Sequence, residues 1–291
     1  MKVGLVGTGY WGQILLSNLK EEDFDVITYD LYDVKADTNK RSDLDSCDKV
    51  FVVTPVASHS ENCRYFLSKG IDVFCEKPLV MSYMEAIDLY GLAEENKCQL
   101  FVDWIFTYNN QVNTIKKLVG SELSLEDGSI NFHGSLKSVS MNRLNLGPVR
   151  HDVSAKYDLA SHDVSIILYM LGEMPKKANW IGYKRYHNSK TNDSCHGLLH
   201  FNNETRGDTI VQINASWHYG KKDRLCIFEF EKGFLTWDDK ENILEFNGKN
   251  LFEEGPSPLK NSIQAFLNGN TEGNMDLTLN TLQVLEHENS F

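Results

Sequence analysis

The sequence has no apolar run approaching the roughly 20 residues of a membrane-spanning helix, so no membrane partner is expected. It also lacks a leader pattern. Met1 passes at once into the strand-like run Lys2 to Val6, and no signal peptide is expected. No two of its six cysteines (Cys47, Cys63, Cys75, Cys98, Cys195, Cys226) form a CxxC pair. That spacing excludes a small disulfide scaffold, argues against a structural zinc site and fits a reducing, cytoplasmic setting. Basic charge is scarce: 29 Lys and Arg face 41 Asp and Glu, for a net charge of −12. A nucleic-acid partner needs clustered cations against its phosphates, so none is expected. Internal repeats and low-complexity stretches are missing as well, which leaves ordinary globular domains.

What is present is a chain of 291 residues, long enough for two domains that each bury a core. The first third alternates strand-like and helical runs. Lys2–Val6, Phe24–Tyr29, Lys49–Val53, Ile71–Cys75 and Gln99–Trp104 read as strands. Trp11–Leu19, Ser58–Lys69 (ended by Gly70) and Ser82–Glu95 read as helices. Lys49–Val53 is almost wholly apolar, as a strand buried on both faces requires. The polar run Asp33–Asp48 reads as a surface loop or short helix. This alternation predicts a parallel sheet with right-handed crossovers.

From about Ser129 the rhythm changes. A helical stretch near Asp158–Leu171 closes at Gly172, and the extended segments Ala178–Tyr186, Cys195–Phe201, Thr209–Trp217, Arg224–Glu231 and Gly233–Trp237 follow. Several alternate polar and apolar residues, as an antiparallel sheet with one solvated or covered face does. A helix near Pro258–Leu267 and a C-terminal helix close the chain. The pattern predicts an α/β chain: a doubly wound domain over 1–120, then an α+β domain over 121–291 with a large, mostly antiparallel sheet. An exposed sheet face predicts a homo-dimer or homo-tetramer.

The stretch GTGYWG, Gly7 to Gly12, sits between the first strand and the first helix. In a nucleotide turn Gly7 allows the tight bend, Gly9 lets the backbone approach a pyrophosphate, and Gly12 permits close helix–strand packing. The helix start at Tyr10 and Trp11 then offers unpaired N–H groups to phosphate. Asp30 ends the second strand about twenty residues on, where a carboxylate holds a ribose 2′-hydroxyl. It would repel a 2′-phosphate, so the expected cofactor is NAD over NADP.

Farther along, Thr54-Pro55, His59 and Glu76-Lys77-Pro78 fall within TPVASHSENCRYFLSKGIDVFCEKPLV. A second stretch is YDLASHDVSIILYMLG, with Asp158 and His162 four residues apart. A third is Ala215-Ser216-Trp217 followed by Arg224 and Lys232-Gly233. Together these resemble the Gfo/Idh/MocA oxidoreductases over nearly the whole chain, through the closing NTLQVLEHENS. The resemblance implies an N-terminal Rossmann NAD-binding domain over 1–120 and a C-terminal substrate-binding and oligomerisation domain over 121–291 with a large open sheet, and it implies reversible oxidation of a hydroxyl in a sugar, nucleotide sugar or inositol, with hydride passing to nicotinamide. It implies Lys77, Asp158 and His162 as the catalytic set, with relatives differing on whether the lysine or the histidine moves the proton. It places Thr54, Pro55, His59, Glu76 and Lys77 at the cofactor, and Tyr108 and Asn109 beside Lys77, Asp158 and His162 at the substrate. The Lys77-Pro78 bond is often cis in relatives. In place of the Gly-rich run common before the Asp, this chain has Ser154-Ala155-Lys156-Tyr157. That variant resembles a subgroup with DLAPHD-like sequences, here with Ser161 for Pro.

The chemistry suits these residue types. Oxidising a secondary alcohol leaves a hydroxyl proton to remove, and a histidine titrates in the useful range without tuning. A lysine serves either as a base once desolvated or as a fixed charge that stabilises the alkoxide. Four residues apart on a helix, Asp158 and His162 share a face. Arg150 and Asp152 just ahead of them fit either a polar-substrate contact or a surface loop. Asp163 reads as structural, and Trp180, Tyr183 and Trp217 as core or subunit contacts. His196 and His200 share one side of a strand but lack a third metal ligand, and no metal is expected. Two alternatives remain at this level: an NAD-dependent glycosidase using transient oxidation, and a non-catalytic nucleotide-binding sensor.

Overall fold

A computed structural model describes residues 1–22, 24–120, 134–185, 190–204 and 206–287. Ser129, Tyr186 and the closing Glu288–Ser290, all named above, lie outside the described residues. The chain divides into two compact units. The first comprises Met1–Trp104 with Lys260–Leu279, and the second comprises Ile105–Leu259 with the chain from Asn280.

The first unit holds a five-stranded parallel sheet in the order β2-β1-β3-β4-β5. Its strands are β1 (Lys2–Val6), β2 (Asp25–Tyr29), β3 (Lys49–Val52), β4 (Asp72–Cys75) and β5 (Leu100–Val102). Helices α1 (Tyr10–Glu21), α2 (His59–Leu67) and α3 (Tyr83–Glu95) connect them. Val3, Leu5, Val50, Phe51, Val52, Val73, Phe74 and Phe101 are fully buried, as the near-continuous apolar strands require. The Ser82 side chain caps α3 by accepting from the Glu85 N–H, and Gly70 turns the chain after α2 at a φ of 72°. The acidic run Asp33–Asp48 is a loop with one 3₁₀ turn, Arg41–Leu44.

Order 2-1-3 places a topological switch between β1 and β3, and ligands of such sheets bind at the carboxyl ends there. Helix α6 (Pro258–Leu267) groups with this unit, so the division is not a single cut near residue 120. The reason is a ring cluster. Phe266 packs on Phe51, Phe74 and Phe101, with centroids 5.4, 5.6 and 5.8 Å away. Asn274, which opens α7 (Asn274–Glu286), both donates to and accepts from the Val102 backbone at 2.8 Å.

The second unit is built on a nine-stranded mixed sheet, β14-β13-β12-β11-β6-β9-β8-β7, with β10 also paired to β6. The strands are β6 (Leu136–Leu146), β7 (Lys177–Tyr183), β8 (Ser194–Asn203), β9 (Gly207–Ser216), β10 (His218–Asp223), β11 (Leu225–Phe230), β12 (Gly233–Asp238), β13 (Ile243–Phe246) and β14 (Lys249–Asn250). All pairings are antiparallel except β6 with β9. Helices α4 (Asn110–Val119) and α5 (Ser161–Leu171) accompany it. Fully or nearly fully buried Val139, Met141, Leu199, Val211, Ile213, Phe228 and Leu235 alternate with more exposed neighbours along the strands, the pattern of a one-sided sheet. Among the described residues no helix is long and apolar enough to cross a membrane.

Candidate active site

The glycine turn follows β1 directly. Gly7 has a φ of 98°, and a Cβ there would meet the Val53 carbonyl oxygen at 2.6 Å. A Cβ on Gly12 would run into the Gly7 carbonyl oxygen, so α1 can lie this close to the turn only with glycine in place. Gly9 differs: a Cβ there meets nothing within 4 Å. It caps the N-terminus of α1 without a side-chain acceptor, and Tyr10 beside it is 85% exposed. The first-turn N–H groups therefore face open space, which fits an anionic dinucleotide.

Asp30, at the end of β2, is the best-organised carboxylate of this half. One oxygen accepts from the Tyr32 and Asp33 N–H groups at 2.9 and 3.1 Å. The other accepts from the Thr8 N–H at 2.9 Å and lies 3.2 Å from the Thr8 hydroxyl. That hydroxyl has one proton and a shorter partner in Asp33 at 2.6 Å, so Asp30 keeps an acceptor site for an incoming hydroxyl. Partial burial works to raise the Asp30 pKa, but the surrounding donors outweigh it and hold the carboxyl below its ordinary value. Thr8, Gln13, Leu16, Thr28, Asp33 and Lys35 line a cavity of about 460 Å³ next to this carboxylate.

Thr54 and Pro55 follow β3. The Thr54 hydroxyl accepts from Ser58 at 2.8 Å, and Pro55 is exposed. His59 is only 2% exposed, and both ring nitrogens lie against carbonyls: Nδ1 at 2.9 Å from Pro78 and Nε2 at 2.7 Å from Thr54. His59 thus ties the loop after β3 to the loop after β4. Lys77-Pro78 is cis.

Glu76 accepts from the Trp11 indole N–H, linking the end of β4 to the start of α1. Burial pushes the Glu76 carboxyl up to about 7, against the pull of Lys77 and Trp11. Asp103 steps off β5 beside it, since Cys75 pairs with Val102 in the register. Asp103 is 1% exposed and hydrogen-bonds the Ser262 hydroxyl, and burial with Glu76 nearby holds its carboxyl well above the usual range. Sequence reasoning missed this second acid; its only trace is an aspartate ending an apolar strand.

In the second unit, a π-helical turn over Lys156–Ala160 carries Asp158 into α5. Such turns recur at functional sites. Asp158 accepts from the Trp217 indole at 3.3 Å and lies 3.4 Å from Arg150, which is itself held by two hydrogen bonds to Asp152 at 2.7 and 3.1 Å. Trp217 is a core residue, at 1% exposure, and also a ligand of the candidate acid. His162 meets Phe106 edge-on, with centroids 5.3 Å apart. The other partners of Phe106 are the Arg143 guanidinium, 4.7 Å from its centroid, and the edge of Trp237.

Arg143 makes two hydrogen bonds to one oxygen of the fully buried Asp163, at 2.6 and 2.9 Å. Asp163 is held in this buried ion pair, and Arg143 and Phe106 are supports that the sequence did not reveal. Tyr108 closes a 3₁₀ turn over Ile105–Tyr108. Asn109 is 7% exposed, and its side-chain oxygen caps α4 by accepting from Gln111 and Val112. His196 and His200 bond Asn214 and Asp208 instead of a shared centre. No cluster of metal-ligating side chains occurs among the described residues.

Comparison with known proteins decides the family. Residues 20–104 match the oxidoreductase family with an NAD-binding Rossmann fold, and residues 146–236 match the Gfo/Idh/MocA C-terminal domain. The chain belongs to the Gfo/Idh/MocA oxidoreductase family. It is 30% identical to the scyllo-inositol 2-dehydrogenase (NADP(+)) IolW of Bacillus subtilis over 74% of this chain and 64% of that one. It is 27% identical to the 2,7-anhydro-N-acetylneuraminate hydratase of Escherichia coli, over 82% of this chain and 68% of that one. Among solved structures it resembles the WlbA dehydrogenase of Bordetella pertussis, crystallised with NADH and UDP-GlcNAcA. The TM-score is 0.80 at 17% identity, over 98% of this chain and 94% of that one.

Proposed function

We propose that this Gfo/Idh/MocA oxidoreductase is an NAD-dependent dehydrogenase acting on a hydroxyl or keto group of a sugar, nucleotide sugar or inositol. The observation that carries the reading is the arrangement at the carboxyl ends of β1, β2 and β4. An open α1 N-terminus, a donor-held Asp30 and the Glu76-Lys77 step share one edge of one sheet. The cofactor would lie on Gly7, Gly9, Tyr10, Trp11 and Gly12, with Asp30 on its ribose and Thr54, Pro55, Glu76 and Lys77 toward the nicotinamide. A bound nicotinamide supplies the hydride acceptor or donor.

The catalytic set is Lys77, Asp158 and His162. His162, held against Phe106, takes or returns the hydroxyl proton. Lys77 stabilises the charge that develops on the reacting oxygen. Asp158, held by Trp217 and Arg150, binds a substrate hydroxyl or orients the imidazole. The anionic Asp30–Asp33 end favours NAD over NADP, since a 2′-phosphate there would face two carboxylates. Ile181, Tyr183, Leu198, Ile227 and Phe234 are exposed on the second sheet, and a second copy of the chain is the proposed cover.

The test is NADH absorbance during incubation with NAD and a panel of inositols, free sugars and nucleotide sugars, with Lys77→Ala alongside. A substrate-specific rise that disappears in the variant supports the dehydrogenase. The likeness to a hydratase motivates a second reading, a reaction with no net oxidation. Substrate consumption without accumulating NADH would select it.

A further inference from the structure

Two carboxyls and one lysine meet where β4 and β5 end. Glu76 and Lys77 follow β4 directly, and Asp103 follows β5, its N–H donating to the Cys75 carbonyl at 2.9 Å. Asp103 is 1% exposed. One of its oxygens accepts from Ser262 of α6, and the other has no partner among the described residues. An ionised carboxylate held by a single hydrogen bond is costly to bury, so Asp103 is a neutral acid. Glu76 differs. It is partly exposed, and its two oxygens accept from the Trp11 indole and from the Lys77 N–H. A ligand at this edge of the sheet can reach it.

The strand order says which part of a dinucleotide would do so. Asp30 ends β2 and the glycine turn follows β1, while β3 and β4 lie on the other side of that turn. A dinucleotide with its adenosine ribose at Asp30 and its pyrophosphate on the turn extends its nicotinamide half over β3 and β4. The β4 strand is two places from β1, about 10 Å away. Glu76 is also tied to Trp11, in the first turn of α1.

The charge balance at this place is close. Lys77 is the cation acting on both carboxyls. Burial keeps the Cys75 thiol neutral, and His59 of α2 lies against the Thr54 and Pro78 carbonyls. Burial pushes the Glu76 carboxyl up to about 7, against the pull of Lys77 and Trp11, so its two forms are nearly balanced at neutral pH. Oxidised NAD (NAD⁺) brings a cationic pyridinium ring, whereas the ring of NADH is neutral. A nearby positive charge favours the carboxylate. Only the oxidised cofactor supplies one.

We infer that Glu76 is a proton switch set by the oxidation state of the cofactor: NAD⁺ binds with loss of the Glu76 proton to solvent, and NADH binds with that proton retained. The carboxyl O–H bond breaks as NAD⁺ binds, and the carboxylate stays as a counter-charge. Once the ring is reduced, the carboxylate takes a proton back from solvent. The assignment rests on the NAD-dependent reading for the place of the cofactor, but the proton is counted at binding and needs no turnover.

The test is isothermal titration calorimetry of the full chain with NAD⁺ and with NADH, in buffers of different ionisation enthalpy, which counts the protons exchanged. At pH 6, NAD⁺ should release most of one proton per chain and NADH close to none. NAD⁺ should bind roughly tenfold tighter at pH 8 than at pH 6, while NADH affinity changes by less than about twofold. Glu76→Gln, once circular dichroism shows that it folds, should abolish the release and flatten the pH dependence for NAD⁺. Trp11→Phe keeps the carboxyl but removes a donor that favours its charge, so release should persist to higher pH than in the parent chain. Asp103→Asn should leave the release in place.

Equal proton exchange with the two cofactors, or release that survives in Glu76→Gln, overturns the switch and leaves the cofactor reading intact. Loss of the release in Asp103→Asn moves the proton to Asp103 and overturns the switch as well. Failure of both cofactors to bind the parent chain overturns the NAD-dependent reading, and the switch with it.

Discussion

The two units hold their candidate functional groups by different means. In the first, position comes from the main chain. Gly7, Asp30, Thr54, Glu76 and Asp103 each sit one or two residues beyond a parallel strand, so the sheet delivers them to one edge. In the second, position comes from side chains. Asp158 depends on Trp217 and Arg150, and His162 on Phe106, which in turn leans on Arg143 and Trp237. The first arrangement is robust to side-chain loss but intolerant of any atom added at the turn. The second should fail by removal, one support at a time.

Loss of Lys77 is expected to have the largest effect, because it deletes the one proposed catalytic group that the main-chain arrangement supplies. Lys77→Ala should lower kcat by about 10³-fold or more, while NAD binding measured by fluorescence titration stays within a few-fold of the parent. A fall in affinity as large as the fall in rate would place Lys77 at the cofactor only.

Next come the supports of the second unit. Arg143→Ala leaves Asp163 buried and uncompensated, which typically costs about 3–5 kcal/mol. Chemical denaturation should show that loss, and Arg143→Met combined with Asp163→Leu should recover much of it. A single variant as stable as the parent would mean that the pair carries little of the fold. In the first unit the opposite kind of change is expected to be damaging. Gly12→Ala adds a Cβ against the Gly7 carbonyl, and overpacking of this sort costs about 1–3 kcal/mol. It should weaken NAD binding more than it lowers the melting temperature, because the turn must move to relieve it.

The same contrast explains what the sequence made legible. The parallel sheet follows from local patterns: apolar runs, glycine stops and helix periodicity recur within each strand–helix unit. All five of its strands fall where the periodicity puts them, within one or two residues. The central strand of the second sheet, β6, was not legible. LKSVSMNRLNL mixes polar and apolar residues because it pairs with β9, β10 and β11 and carries the buried Arg143. Its pairing with Asp163 joins residues twenty apart in sequence. Asp158 and His162 were legible as a spacing, but the π turn that carries Asp158 and its bond to Trp217 depend on tertiary contacts. Asn109, expected at the substrate, also caps α4, a role that depends on where that helix starts.

Cofactor choice offers a smaller test. Asp30→Asn removes the charge that a 2′-phosphate would face while retaining an acceptor. The ratio of kcat/KM for NAD over NADP should fall by roughly 10-fold, on the order of 1.4 kcal/mol. An unchanged ratio would assign the discrimination to Asp33 or to groups farther along the loop.

The smallest expected effect concerns Glu76, where the main-chain arrangement places a carboxyl in a site that disfavours its charge. Its pKa is about 7 in the folded protein against an ordinary value of 4.5. The folded chain therefore binds more protons than the unfolded chain between these values, and stability must fall as pH rises through that window. The contribution is fully present below about pH 4.5 and is lost as pH passes 7. Glu76→Gln keeps the shape and an acceptor for Trp11 but cannot ionise. Its unfolding free energy should match the parent near pH 5 and exceed it at pH 8, by an amount on the order of 1 kcal/mol given partial solvent screening. Asp103 makes the measurement sharper. Burial and the ionised Glu76 hold its carboxyl well above the usual range, so it stays protonated while Glu76 ionises, and Asp103→Asn should leave the midpoint near 7 in place. A pH dependence unchanged by Glu76→Gln would show that another group controls this edge of the sheet.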